Sequence, residues 1–418
     1  MKLGTPKTVA LLGTLDTKGP EFAFLRELIH QRGLRTLVID ASVVGEPAFA
    51  PDIDRKAFYE AGGFDHERLK TKADRGEAMT AAVKSAEAIA RRLYADGRIH
   101  GIVSLGGSGG TTIATAAMRA LPIGVPKLMV STLASGDTRP YVGIRDVCMM
   151  YSVVDVAGIN RVSRIIFANA AHAIAGMVAG EVPPAPGGHD RPLIGMTMFG
   201  VTTPCVEAVR EVLEKSGYEC LIFHATGTGG RAMERVIEDG FVDAVCDVTT
   251  TEWADELVGG VLSAGPTRLD AAAKQGIPQV VSVGALDMVN FGPRATVPAK
   301  FSDRKFYPHN PSVTLMRTTV EENRKLGEIL ARKLNASRGP VRLYLPLRGV
   351  SAIDREGQPF DDPAARKALF EAIEANLDRK KVELVKLDRH INDLPFAQAM
   401  ARGLLELIAR RQAAGGQQ

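Results

Sequence analysis

Two glycine-rich stretches carry residue types suited to holding an anion. Gly106-Gly107-Ser108-Gly109-Gly110-Thr111-Thr112 leaves nothing bulky between backbone and ligand. If it follows a strand and opens a helix near Thr111, its N–H groups can form a nest around phosphate oxygens. Gly13-Thr14-Leu15-Asp16-Thr17-Lys18-Gly19 lies at the same kind of junction. The latter matches neither a Walker A loop nor GxGxxG. The plain alternatives are close packing of helix on sheet for the first and a turn capped by Asp16 or Thr17 for the second. A third small-residue loop, Ser131 to Asp137 with Thr132, completes the outline of a pocket. Lys18 can offset triphosphate charge, and Asp16, Asp40 and Asp137 could hold Mg²⁺ through water. Asp40, ending a strand, is placed like the acid that bonds a ribose hydroxyl in dinucleotide folds.

The second half of the chain is rich in polar residues at expected strand ends. His224 heads another glycine loop, His224 to Gly230, where a second anion could settle. Asp247 and Asp287 lie on neighbouring turns, His309 and Asn310 in a Pro-rich stretch without strand character, and Arg348 and Asp354 in a long loop from Pro346 to Phe360. His224 with Asp247 or Asp287 would make a general acid/base pair for a carbonyl substrate, with His309 nearby. Against this, a lone loop histidine is usually an ordinary hydrogen-bonding residue. No HxH or HExxH spacing supports a metal site. Cys205, at an expected helix start, is either a thiolate favoured by the helix dipole or a small buried side chain. Trp253, the single tryptophan, reads as a packing anchor.

The elements that must position these residues repeat as a short β-branched or Leu-rich run, a turn and an amphipathic segment, the βαβ pattern. Strands are expected at Thr8 to Gly13, Arg35 to Asp40, His100 to Leu105 and Pro126 to Val130, with helices near Glu21 to Arg32, Asp74 to Tyr94 and Asn160 to Ala179. The prolines and glycines of 185–192 read as a linker between an N-terminal α/β domain (1–184) and a C-terminal α/β domain (193–418). There the alternation restarts at Leu193 to Met198 and continues to a last helix at Pro395 to Arg411. The fold class is therefore α/β, with two Rossmann-like domains, each a mostly parallel sheet flanked by helices. Ligands belong outside the carboxyl ends of the strands.

Composition excludes several classes. The chain has 418 residues, too many for one core by default, and 52 basic against 48 acidic residues leave a net charge of +4 without charge runs, so nucleic acid and membrane surface are not expected partners. The uncharged stretch Ile165 to Gly180 is short and Ala/Gly-rich and reads as a buried helix. The four cysteines lack CxxC spacing, and no signal-peptide core is apparent, which points to the cytoplasm.

GTLDTKGPEFAFLRELI, VIDASVVGEP, VSLGGSGGTTIATAAMRALPIGVPKLMVSTLASG, MTMFGVTTPCVEAVREVLEKSGYECLIFHATGTGG and LMRTTVEENRKLGEIL together resemble the ATP-binding-domain family named after the tomato mosaic virus resistance protein. The resemblance runs from about Thr8 to Phe370. It implies two Rossmann-like subdomains, ATP held by the first, and self-association into a homodimer or larger homo-oligomer. The nucleotide role falls on Gly13 to Lys18 and on Gly106 to Thr112. Plant members carry a further TIM-barrel-like domain, so virus recognition is not carried over. The resulting expectation is an ATP-binding, nucleotide-responsive protein, Mg²⁺ as possible companion, with a second small-molecule cleft in or beside the C-terminal domain. The alternative is an enzyme using the C-terminal acid/base residues on a small carboxylate or carbonyl compound.

Overall fold

A computed structural model describes residues 6–183 and 189–415. The chain divides into two compact units, Met1–Pro183 and Pro184–Gln418. Of the expected linker, 185–188 lie outside the described residues, and 189–192 form neither helix nor strand.

The first unit runs β1 (Thr8–Gly13), α1 (Leu15–His30), β2 (Arg35–Asp40), α2 (Arg55–Ala61), α3 (His66–Lys72), α4 (Arg75–Ala95), β3 (Gly101–Gly106), α5 (Ser108–Ala120), β4 (Lys127–Ser131), α6 (Arg139–Val142), β5 (Cys148–Tyr151) and α7 (Arg161–Ala179). Its sheet is parallel throughout, in the order β2-β1-β3-β4-β5. Alternation along the buried β1 divides the core into two layers. Ala10 and Leu12 pack with α4 and α5 side chains such as Ile89 and Met118, and Val9 and Leu11 with Phe22 of α1 and Phe167 of α7. The winding of the chain across the sheet reverses between β1 and β3, although the strands stay parallel, so the crevice at their carboxyl ends is the topological switch point, where open α/β sheets bind ligands.

The second unit follows with β6 (Leu193–Met198), α8 (Thr203–Lys215), β7 (Glu219–His224), α9 (Thr228–Glu238), β8 (Ala244–Thr249), α10 (Glu252–Val258), α11 (Asp270–Gln275) and β9 (Gln279–Gly284). It continues with β10 (Met288–Phe291), β11 (Phe306–Asn310), β12 (Val313–Arg317), α12 (Val320–Asn335), β13 (Val341–Pro346), α13 (Pro363–Asn376), β14 (Val382–Leu387) and α14 (Leu394–Gly415). Its main sheet, β14-β13-β9-β8-β6-β7, is also parallel and repeats the order of the first, with its reversal between β6 and β8. A small antiparallel sheet, β10-β12-β11, is added to it.

Helix α1 opens with a short helical turn from Leu15, kinked at Lys18 (φ −127°, ψ 17°), and its regular part begins just before the expected start near Glu21, with Pro20 in its first turn. Two expectations need correction. His309 and Asn310 lie on β11, whose pairing to β12 shifts register between Pro308 and Asn310; proline in an edge strand is tolerated there. Helix α7 is only half-buried: Phe167, Ala170, Ala171, Ile174 and Val178 face the core, while Ile165 and Met177 are exposed. It is the one helix among the described residues long and apolar enough to cross a membrane by length and composition.

Candidate functional site

A cleft of about 510 Å³ opens at the switch point of the first unit. Its floor is the β3–α5 corner, Leu105 to Gly110. Gly107 occupies the N-cap position of α5 and no side chain caps the helix, which begins at Ser108 rather than Thr111. The first internal helical bond runs from the Thr111 N–H to the Gly107 carbonyl. The N–H groups of Gly107, Ser108, Gly109 and Gly110 donate to no atom among the described residues. Unsatisfied donors at the positive end of a helix dipole are a site for an anion.

The glycines themselves say whether this opening is a packing device. A Cβ at Gly107 would come no nearer than 3.9 Å to a neighbour, Thr132 Oγ1, and one at Gly110 no nearer than 3.7 Å, to the Leu105 carbonyl oxygen. Neither residue has positive φ. A Cβ would therefore meet no clash at either position.

The β1–α1 corner behaves differently. Two of its N–H groups are already spent: Leu15 donates to Asp40 Oδ1 and Asp16 to Ser42 Oγ. The corner is thus less open than the β3–α5 one, because a carboxylate from β2 already takes a donor there. Gly13 is demanded by packing, since a Cβ would stand 2.0 Å from the Phe22 ring. Asp40 is buried, and its Oδ1 also accepts from the Ser42 N–H and hydroxyl; its Oδ2 has no hydrogen bond and lies 3.8 Å from Arg55 Nε. It organises the corner and does not line the cleft. Thr14, Asp16, Thr17 and Lys18 do line it. The Thr14 and Thr17 hydroxyls pair at 2.9 Å, and the Asp16 carboxylate accepts from Ser42 Oγ and the Gly45 N–H.

Of the other expected contacts, Thr111 is buried and bonded to the Gly107 carbonyl and Ser131, and Thr112 bonds the Ser108 carbonyl; neither they nor Thr132 line the cleft. Asp137 is also outside it, exposed, its carboxyl held down to about 2 by Arg139. Of the three carboxylates expected to approach Mg²⁺, only Asp16 reaches the cleft, and no cluster of three metal-binding side chains occurs among the described residues. Conversely, Arg75 at the start of α4 adds a second cation to the lining, after Lys18, while Val43, Val44, Met79 and Ile113 add an apolar wall. Burial and nearby Asp40 and Asp16 raise the Tyr59 phenol, which stays neutral and donates to the Ala41 carbonyl. Sequence reasoning missed these residues. The Asp74 cap before α4, which accepts the Gly76 and Glu77 N–H groups, was the one local sign that Arg75 opens a helix.

The β3–α5 corner falls within residues 7–183, which match the N-terminal domain of the uncharacterised protein family UPF0261; residues 191–408 match its C-terminal domain. The chain belongs to the UPF0261 family. A UPF0261 protein of Clostridium tetani is 54% identical over 97% of this chain and 100% of its own length, and one of Rhizobium meliloti 48% over 94% and 97%. The ToMV resistance protein Tm-1(GCR237) of Solanum lycopersicum is 42% identical over 96% of this chain, which spans 55% of the tomato protein.

In the C-terminal UPF0261 domain the four acid/base candidates do not converge. His224, last residue of β7, and His309 of β11 line a cavity of about 330 Å³, where the His224 ring stands 5.7 Å from that of Phe199. Asp247 and Asp287 are fully buried elsewhere. Asp247 is held by both ends of the Arg268 guanidinium and by Thr197 Oγ1. Asp287 accepts from Ser351 Oγ; burial and nearby Asp354 raise its carboxyl. The pairing of His224 with either aspartate is therefore corrected: both carboxylates are buried and neither lines the His224 cavity, although Asp287 Oδ1 is left without a hydrogen bond among the described residues.

Arg268 also holds Glu252 (2.8 Å) and Glu234 (3.3 Å), and Glu252 Oε1 accepts the Gly227 and Gly230 N–H groups at 2.7 and 3.0 Å. The glycine loop after His224 thus has its anion, supplied by the chain. Cys205 is buried, which pushes its thiol up to about 12, so the small-buried-residue reading holds.

Proposed function

We propose that this protein binds an adenine nucleotide, ATP foremost, at the switch-point cleft of its first unit. The observation that carries the reading is the β3–α5 corner: four unpaired N–H groups, with Gly107 and Gly110 at positions where packing does not require glycine. Lys18 and Arg75 would oppose phosphate charge, Asp16 is the lining carboxylate available to a magnesium ion arriving with the nucleotide, and the Val43, Val44, Met79 and Ile113 side chains offer a flat base an apolar surface. Adenine as the base comes from the sequence resemblance. The protein then acts as a nucleotide-responsive module with a second small-molecule cleft in the C-terminal unit. Its four unpaired cysteines suit the reducing cytoplasm, and self-association belongs to the same reading.

Calorimetric titration of the full chain with ATP tests it. Saturable binding to the parent, lost in Gly107→Val and Gly110→Val while both stay folded by circular dichroism, is the expected result; equal binding in those variants refutes the site. The alternative, an enzyme acting on a small carboxylate or carbonyl compound, retains the two histidines that share a cavity. Release of ADP or phosphate only in the presence of a metabolite would select it.

A further inference from the structure

The cavity in the second unit is a second candidate binding site, with a chemistry unlike the first. It is formed where Phe199-Gly200-Val201 leave β6 and His224 ends β7, and the β11–β12 ribbon covers it. Three observations describe it. Gly200 and Val201 donate their N–H groups to no atom among the described residues. A Cβ at Gly200 would meet nothing within 4 Å, so this glycine too leaves room that packing does not use. The imidazoles of His224 and His309 both line the cavity, and neither ring makes a hydrogen bond among the described residues. Val201, Leu262, Val313 and Leu315 supply walls without charge.

We infer that this cavity binds a small organic carboxylate with an apolar or aromatic body. Backbone N–H groups and imidazole N–H groups all donate, and a carboxylate is the small group that accepts several such bonds at once. Phosphate esters need more charge than this cavity offers: no lysine or arginine lines it, whereas Lys18 and Arg75 line the first cleft. The apolar walls exclude a bare inorganic anion and set a minimum of hydrocarbon, because an ion without an apolar body would leave them facing water. The inference deepens the second-ligand part of the reading above and does not depend on nucleotide binding.

Saturation-transfer NMR and calorimetry on the full chain, with phenylacetate, hexanoate and the neutral isostere phenylacetamide as probes, test it. Both carboxylates should bind saturably below about 10 mM, and phenylacetamide about tenfold more weakly. Gly200→Leu adds a side chain whose Cβ meets nothing within 4 Å and should abolish binding; His224→Leu should weaken it about tenfold. Gly107→Val should bind the carboxylates like the parent, which separates this site from the nucleotide cleft. Absence of saturable carboxylate binding, persistence in folded Gly200→Leu, or equal affinity for the amide would overturn the proposal.

Discussion

The two units repeat one strand order and treat the same junctions in opposite ways. In the first, the corner after β3 is Gly106 to Gly110 with its N–H groups unpaired. At the equivalent place in the second, the corner after β8 is Thr249-Thr250-Thr251-Glu252, all buried, and Glu252 caps the neighbouring glycine corner of α9. Glycine richness alone therefore does not mark a ligand site. What separates the two is the space each missing side chain leaves. A Cβ at Gly229 would stand 1.9 Å from the His224 carbonyl oxygen and one at Gly230 2.0 Å from Glu252, against 3.9 Å for Gly107. One set of glycines lets the chain touch itself, and the other leaves room for something else.

The comparison breaks most severely at Arg268. This buried guanidinium faces Asp247, Glu252 and Glu234, so Arg268→Leu strands three carboxylates away from water. A loss of about 3–5 kcal/mol is expected. Trp253, buried beside Glu252 in the second unit, is the chain's single tryptophan and reports it directly: the urea midpoint read by its fluorescence should fall steeply. An unchanged midpoint would mean that the carboxylates are not held as described.

The glycine contrast is sharpened by equivalent substitutions. Gly230→Val forces Glu252 out of its seat and should cost about 1–3 kcal/mol by overpacking. Gly107→Val should leave stability within about 0.5 kcal/mol while lowering ATP affinity about 100-fold or more, as expected when a side chain occupies the place of a phosphate. Equal destabilisation by both would show that the first corner is also a packing device. Smaller still is the effect of charge: Lys18→Ala and Arg75→Ala should each weaken ATP binding about tenfold, with a shallower salt dependence than the parent.

These contrasts explain what could be read from the sequence. The parallel sheets were legible because hydrophobic runs and helical periodicity are local. So was the β3–α5 corner, since its glycines are consecutive. Arg75, Met79 and Val43 were not, because they meet Gly107 only through the strand order β2-β1-β3, and nothing in a linear pattern states that order. The capture of the α9 N-terminus by Glu252 spans more than twenty residues. From the sequence alone, His224 to Gly230 and Gly106 to Gly110 look like the same device. The β11–β12 ribbon escaped notice because Pro308 and the polar residues around it imitate a loop.

Titration gives the last and smallest separation of the units. In the first, the shifted carboxyls, Asp74 and Asp137, lie on the surface and are lowered, Asp74 by the Glu77 and Gly76 N–H groups and Asp137 by Arg139. In the second, surface carboxyls such as Glu211 and Asp388 are lowered in the same way, by Lys215 and Arg348, but buried ones are raised: burial pushes Asp255 up to about 7 and also raises Asp287 and Glu234. A carboxyl group raised in the native state keeps its proton after the unfolded chain has released it. Its contribution to stability is therefore complete below the unfolded value of about 4 and is lost as pH rises toward about 7, by at most about 1.4 kcal/mol per pH unit for one group. Between pH 5 and 7 the Trp253-detected midpoint should fall as pH rises, then level off. Asp287→Asn, neutral throughout and still able to accept from Ser351 Oγ through its amide oxygen, should flatten part of that slope. A midpoint that climbs over the same interval would mean that the basic partners, Arg317 and Arg268 among them, outweigh burial and hold these carboxylates charged.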